Sequence, residues 1–158
     1  MELILIMVVG ATFAGFLLIL VAALAAKNKG ISSASAATQK LDFERFERMC
    51  CNLLYALKLE IDEISSTGLK ELHIVARNTT PITGGVLLVQ CYLLDKTEVI
   101  EAARIIEFSN LIIQDRASKG ILITTGQFTK DLATISELAP IEFVDGGQLA
   151  ELVEKYHV

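Results

Sequence analysis

Two predicted strands carry side chains that could do chemistry. Glu71 and His73 alternate along one strand, and Gln90 and Tyr92 alternate along a later one. Because successive side chains of a strand point to opposite faces, each pair lies on one face of its strand. Magnesium is poorly served by an imidazole and an amide, and a tyrosine, with a pKa of about 10, supplies no fixed positive charge. The pattern therefore indicates a polar pocket with one carboxylate and no fixed positive charge.

Hydrophobic periodicity predicts the elements that position this pocket. Apolar spacing indicates helices over residues 41–58, 98–116 and 129–138, and a last helix that ends near Tyr156. Apolar or alternating runs indicate strands over residues 59–64, 69–77, 86–93, 121–125 and 140–144, with turns at residues 65–68 and 78–85. Hairpin-like strands followed by alternating helix and strand predict an α/β fold, with a mixed sheet of about five strands flanked by helices.

The chain begins with an apolar segment. Residues 3–26 contain no charged side chain, and at about 1.5 Å per residue they can cross a hydrocarbon core of about 30 Å. A cleavable signal peptide is the alternative, but such a leader begins with a basic region, whereas this chain begins Met1-Glu2. Lys27 and Lys29 follow the apolar run, so the positive-inside rule predicts a single-pass membrane anchor over residues 1–26 with a cytoplasmic carboxyl-terminal part.

A linker and one domain are predicted beyond this anchor. Residues 27–40 are rich in Ser and Ala, which predicts a flexible tether, and residues 41–158 suffice for one domain. From residue 27 onward 14 basic and 18 acidic residues give a net charge of −4, which disfavours a strong non-specific grip on DNA. The chain has an odd number of cysteines, namely Cys50, Cys51 and Cys91, and their spacing is not that of a zinc site. We therefore expect reduced core thiols without a metal or redox role.

Four stretches of this chain resemble one known family. They are Asp42-Phe43-Glu44-Arg45, Glu71-Leu72-His73-Ile74-Val75-Ala76, Val89-Gln90-Cys91-Tyr92, and residues 119–129 (KGILITTGQFT) with residues 140–146 (PIEFVDG) after them. From residue 41 to the end, the chain resembles the Mrr-type restriction endonuclease domain of the PD-(D/E)xK nuclease superfamily. The resemblance implies a restriction-endonuclease-like fold, here preceded by a single transmembrane helix.

The resemblance also implies roles for individual residues. In the family, a strand aspartate and a Glu or Gln on the next strand hold a divalent metal, and a lysine orients or activates the attacking water. These positions are His73, Gln90 and Tyr92 here, which implies a degenerate motif without a confident catalytic residue, metal or other cofactor. Glu44 fits a family position as a supporting ligand. Thr124 and Thr125 fall in the region that lies near nucleic acid in the family, which makes them candidates for a phosphate contact.

Three functions stay open at this point. The first is a membrane-anchored, catalytically inactive nuclease-fold domain that binds nucleic acid or a protein partner. The second is an active metal-dependent DNA endonuclease of the restriction or defence type. It would use magnesium, manganese or zinc in a rearranged site of Glu44, Glu71, His73 and Gln90. The third is a structural or assembly module at the membrane that self-associates as a homo-oligomer.

Overall fold

A central sheet of five strands organises the computed structural model, which describes residues 39–82, 84–130, 132 and 140–158. In chain order the elements are α1 (residues 39–56), β1 (Glu60–Thr67), β2 (Glu71–Asn78), β3 (Gly85–Tyr92), β4 (Val99–Ile100), α2 (Ala102–Gln114), β5 (Lys119–Thr124), β6 (Gln127–Phe128), β7 (Ile141–Val144) and α3 (Gly146–Tyr156). The central sheet has the order β1-β2-β3-β5-β7, with two antiparallel pairings followed by two parallel ones. The predicted mixed five-stranded sheet is confirmed.

One face of the sheet packs against α1 and α3. Buried apolar residues recur every three or four positions on α1, which gives this helix one apolar side: Phe43, Phe46, Cys50, Leu53 and Leu54. They share a core with Leu72, Ile74 and Val89 of the sheet and with Leu149 of α3. Helix α3 begins at Gly146, because the Asp145 carboxylate caps it and accepts hydrogen bonds from the backbone N–H groups of Gly147 and Gln148.

The opposite face of the sheet packs against α2. Ile105, Phe108 and Ile112, spaced by three and four residues, share a second core with Tyr92 and Leu122. Strand β5 contributes to both cores, since Ile121 and Ile123 point to the α1 face while Leu122 points to α2. This confirms the prediction that the strand is covered on both faces.

Two predicted element bounds differ most from the structure. Residues 65–67, expected in a turn, continue β1, and Gly68 takes the left-handed conformation that the turn requires (φ +70°). The helix expected over residues 98–116 begins only at Ala102, because Val99 and Ile100 pair as β4 with β6 in a separate two-stranded parallel sheet. Sequence reasoning missed this small sheet, since each of its strands has only two residues.

Several predictions lie outside the described residues. These are the membrane anchor over residues 1–26, nearly all of the linker over residues 27–40, and most of the helix over residues 129–138. Residues 39 and 40, assigned to the linker, are already helical. Among the helices of the described ranges, none is long and apolar enough to span a membrane.

The three cysteines are free thiols in or beside the α1 core, as predicted. Cys50 and Cys91 are fully buried, and Cys51 is half-buried. A hydrogen bond with Cys50, together with burial, raises the pKa of Cys91 well above its ordinary value. Burial likewise raises the pKa of Cys51. Because the thiolate is the reactive form, Cys51 and Cys91 are poor nucleophiles.

The contact between β5 and α2 generates a stability prediction. A Cβ atom added at Gly120 would lie 2.2 Å from Ile112 Cδ1 and 2.9 Å from Phe108 Cε1, both on buried side chains. Gly120→Ala is therefore expected to lower the free energy of unfolding by about 1–3 kcal/mol through overpacking. Gly147→Ala is the control, because its added Cβ comes no closer than 3.3 Å to Asp145 Oδ1. Equal urea midpoints for the two variants would contradict the packing at Gly120.

Candidate functional site

Strand pairing brings four of the predicted site residues together. In the antiparallel pairing of β2 with β3, Glu71 lies opposite Tyr92 and His73 lies opposite Gln90. All four side chains point to the α2 face, because their neighbours Leu72, Ile74 and Cys91 fill the core on the α1 face. The register of this one hairpin therefore builds the polar pocket.

Glu71 is the centre of the polar pocket. Its Oε1 atom accepts hydrogen bonds from Gln90 Nε2 at 3.0 Å and from the Tyr92 hydroxyl at 3.1 Å. His73 Nε2 lies 3.2 Å from the same oxygen, and Arg104 Nη1 lies 3.3 Å from Oε2. The Glu71 side chain is only 18% exposed. Both oxygens of a largely buried carboxylate are thus engaged by groups of this chain.

Gln90 is buried between Glu71 and His73 and presents its amide nitrogen to both. Gln90 Nε2 lies 3.3 Å from His73 Nδ1. His73 Nδ1 accepts this hydrogen bond when the ring is neutral and the His73 Nε2–H group faces Glu71. Gln90 Oε1 is buried and has no hydrogen-bond partner among the described residues. An acceptor left unpaired in this way costs free energy, which makes Gln90 the unsatisfied member of the pocket.

Tyr92 occupies the position where the family resemblance places a lysine. The residue is buried, and this burial, together with the nearby Glu71 carboxylate, raises the pKa of the Tyr92 hydroxyl to about 12, against an opposing effect of Arg104. The hydroxyl therefore stays protonated at neutral pH and donates to Glu71. A neutral donor has replaced an expected cation.

Arg104 is the member of the site that sequence reasoning missed. It lies in the first turn of α2, and its guanidinium carbon stands 5.5 Å from the centre of the Tyr92 ring. Contact with the Tyr92 hydroxyl raises the pKa of Arg104 further above its high ordinary value. One feature of the sequence could have indicated Arg104. It directly precedes Ile105, a buried residue of α2, and therefore lies at the border of the helix face that meets the sheet.

A cleft of about 400 Å³ opens beside this pocket. It is lined by Thr67, Lys70, Glu71, Tyr92, Leu94, Val99, Ile100, Glu101 and Arg104. Each cation of its lining faces a carboxylate: Lys70 Nζ lies 3.6 Å from Glu98 Oε1, and Arg104 contacts Glu71. The cations of the cleft are therefore paired, and Glu101 adds a further carboxylate to its lining.

The remaining candidate residues lie elsewhere. Glu44 is exposed on α1, the helix that packs against the other face of the sheet. Thr124 is fully buried, and its hydroxyl accepts a hydrogen bond from Gly126 N at 3.0 Å, so this side chain holds the loop after β5. The Thr125 hydroxyl donates to Leu94 O and accepts from Leu94 N. A phosphate contact stays a prediction for partly exposed Thr125 and is not favoured for Thr124.

The residues of the polar pocket do not fit the divalent ion that the resemblance implies. Hard ions such as magnesium need several oxygen ligands, usually from carboxylates. Glu71 is the one carboxylate of the pocket, and a guanidinium already neutralises it. Within the described ranges no three His, Cys, Asp or Glu side chains group closely enough to hold a metal ion.

The mixed sheet and its flanking helices define a restriction-endonuclease-like α/β domain. The family model Mrr_cat, described as restriction endonuclease, matches residues 38–153, and the chain belongs to this family. The structure of the DNA modification-dependent restriction endonuclease AspBHI shares the fold, with a TM-score of 0.50 and 14% identity over 77% of this chain. The MspJI restriction endonuclease, in complex with a 27-mer oligonucleotide, gives a TM-score of 0.44 and 16% identity over 74% of this chain.

This chain spans about a third of the length of those two proteins, since the matches cover 35% and 30% of them. No curated protein sequence matches the chain.

The raised pKa of Tyr92 generates a prediction about pH. An unfolded tyrosine ionises near a pKa of about 10, whereas the folded Tyr92 has a pKa of about 12. The protonated Tyr92 hydroxyl therefore contributes to the free energy of unfolding below pH 10, and this contribution is lost as the pH rises towards 12. Tyr92→Phe should remove this part of the alkaline stability loss in urea unfolding. Tyr55→Phe, at an exposed position, should leave the loss unchanged, and equal curves for the two variants would contradict the assignment.

Proposed function

We propose that this chain is a non-cleaving member of its restriction endonuclease family that acts by binding a partner protein. One observation carries the proposal. The pocket at the family's catalytic position contains a single carboxylate, Glu71, whose two oxygens are already engaged by side chains of the same chain. A site of this kind has no free charge with which to hold an ion or to activate water.

The chemistry of the neighbouring side chains supports the absence of cleavage. Phosphodiester hydrolysis needs positive charge near the phosphate, a nucleophilic water and a way to deprotonate it. Tyr92 is a neutral donor at neutral pH because its pKa is about 12. His73 contributes an imidazole whose two nitrogens face Gln90 and Glu71. The pocket retains the place of the catalytic site and has lost its reactive groups.

Charge favours a protein over DNA as the ligand. Residues 41–158 contain 11 basic and 18 acidic side chains, a net charge of −7. Non-specific DNA binding depends on cations that neutralise phosphates, and the cations of the cleft, Lys70 and Arg104, are paired with carboxylates. The apolar residues 3–26, followed by Lys27 and Lys29, support the further proposal that this domain is held at the cytoplasmic side of a membrane.

A second candidate is an active metal-dependent DNA endonuclease with a rearranged site. Membership of a restriction endonuclease family over residues 38–153 favours it. It requires that ligands beyond Glu71 and His73, such as Glu44, come together when metal and DNA bind.

Cleavage separates the two candidates. The full chain is expected to leave plasmid DNA intact in the presence of Mg²⁺ or Mn²⁺, at the level of a matched Glu71→Gln control, because the site has no free carboxylate. Product bands on an agarose gel report the result. Metal-dependent cleavage that disappears in Glu71→Ala or Glu44→Ala would establish the endonuclease and remove the non-cleaving proposal.

Salt dependence identifies the class of ligand. Fluorescence anisotropy with labelled duplex DNA is expected to show no binding at an ionic strength of about 0.15 M, since the paired cations release few counterions. Tight DNA binding that weakens steeply with salt, and is reduced by Lys70→Ala, would assign nucleic acid as the ligand instead. Oligomers that grow with protein concentration, without DNA binding, would favour an assembly module.

A further inference from the structure

We propose that the Arg104 guanidinium takes the place of the divalent ion that the family resemblance implies, as a built-in counter-charge for Glu71 that keeps cations out of the pocket. This inference deepens the proposed non-cleaving function and rests on it. It assigns a positioning role to a residue on α2, outside the two strands that carry the family motif.

The first step is the environment of Glu71. Its side chain is 18% exposed, and a carboxylate that is largely removed from water needs a compensating charge or a set of hydrogen bonds. Neutral donors satisfy Oε1, namely the Gln90 amide and the Tyr92 hydroxyl. Oε2 faces Arg104 Nη1 at 3.3 Å. Arg104 therefore supplies the positive charge of this arrangement.

No other cation of the described residues fills this role. Lys70, in the same cleft, has its ammonium group beside Glu98. His73 contacts Glu71, but its Nδ1 atom faces the Gln90 amide nitrogen, a donor, which fits the neutral ring. A permanently charged guanidinium is the one group here that neutralises Glu71 at every physiological pH.

The position of Arg104 also explains why it stays in place. Its guanidinium lies over the Tyr92 ring, 5.5 Å from the ring centre, which adds a cation–π contact. Ile105, the next residue, is fully buried in the α2 core and anchors this turn of the helix beside the pocket. The charge that the resemblance places on a strand lysine is thus carried by the adjoining helix.

Removal of this charge leaves the Glu71 carboxylate open to an added cation. Glu71 would retain a carboxylate without a counter-ion, and the Gln90 carbonyl oxygen is already buried without a partner. His73 lies beside Glu71 and the Gln90 amide nitrogen, and its imidazole adds a nitrogen to the carboxylate and carbonyl oxygens that suit manganese. The structure therefore assigns to Arg104 the exclusion of a divalent ion from this pocket.

Thermal unfolding of the full chain with and without Mn²⁺ tests the inference. Wild type should show the same Tm in both conditions. Arg104→Met should lower the Tm by about 4 °C or more without metal, and Mn²⁺ should recover most of that loss. Arg104→Lys keeps the charge and should respond to Mn²⁺ as wild type does. Arg77→Met is the matched control, because it removes an exposed guanidinium that pairs with Asp62 at 2.8 Å, outside the pocket.

Direct binding completes the test. Loss of the free Mn²⁺ signal in electron paramagnetic resonance should occur with Arg104→Met and not with wild type. Equal Mn²⁺ binding by wild type, or none by Arg104→Met, overturns the inference. Wild type that binds Mn²⁺ and leaves DNA intact would overturn it while the non-cleaving function stands.

A double variant covers the case in which Arg104→Met does not fold. Arg104→Met combined with Glu71→Gln removes both charges. Recovery of folding in the double variant supports the counter-charge role, and continued failure to fold overturns it.

Discussion

A carboxylate held largely away from water, and therefore in need of compensation, is the constraint on which the polar pocket depends. Glu71 meets this need with donors from β2, β3 and α2 at once. Because each donor comes from a different backbone position, the pocket forms only when the hairpin register and the docking of α2 are both correct. A paired buried charge of this type contributes less to net stability than to the choice of one arrangement over others.

The polar pocket differs in its charges from a typical site for a divalent metal ion. In a metal site, several negative ligands repel one another until a cation binds among them. Here one negative group remains, and amide, phenol and guanidinium groups surround it with hydrogen atoms to donate. The pocket is therefore a set of donors around one carboxylate, complete except for the Gln90 carbonyl oxygen.

A side chain of the loop after β5 stabilises the backbone beside the pocket. Thr125 bonds in both directions with the backbone of Leu94, and its own backbone N–H donates to Tyr92 O. These bonds tie the end of β5 to the end of β3, directly beside the polar cluster. Thr125, which the resemblance made a candidate for a phosphate contact, therefore has a clear structural role, because its hydrogen bonds close the end of the sheet.

The sequence by itself determined the helices, the central strands and the face on which Glu71, His73, Gln90 and Tyr92 meet, because these follow from local periods of 3.6 and 2 residues. Through the resemblance it also predicted that His73, Gln90 and Tyr92 stand where the family has its acidic and basic groups. Only the tertiary structure decided that Arg104 joins them, that Gln90 leaves an oxygen unpaired, and that Val99 and Ile100 leave the predicted helix to pair with β6. These features depend on contacts between residues distant in sequence, where the free energy of packing and charge pairing outweighs local preference.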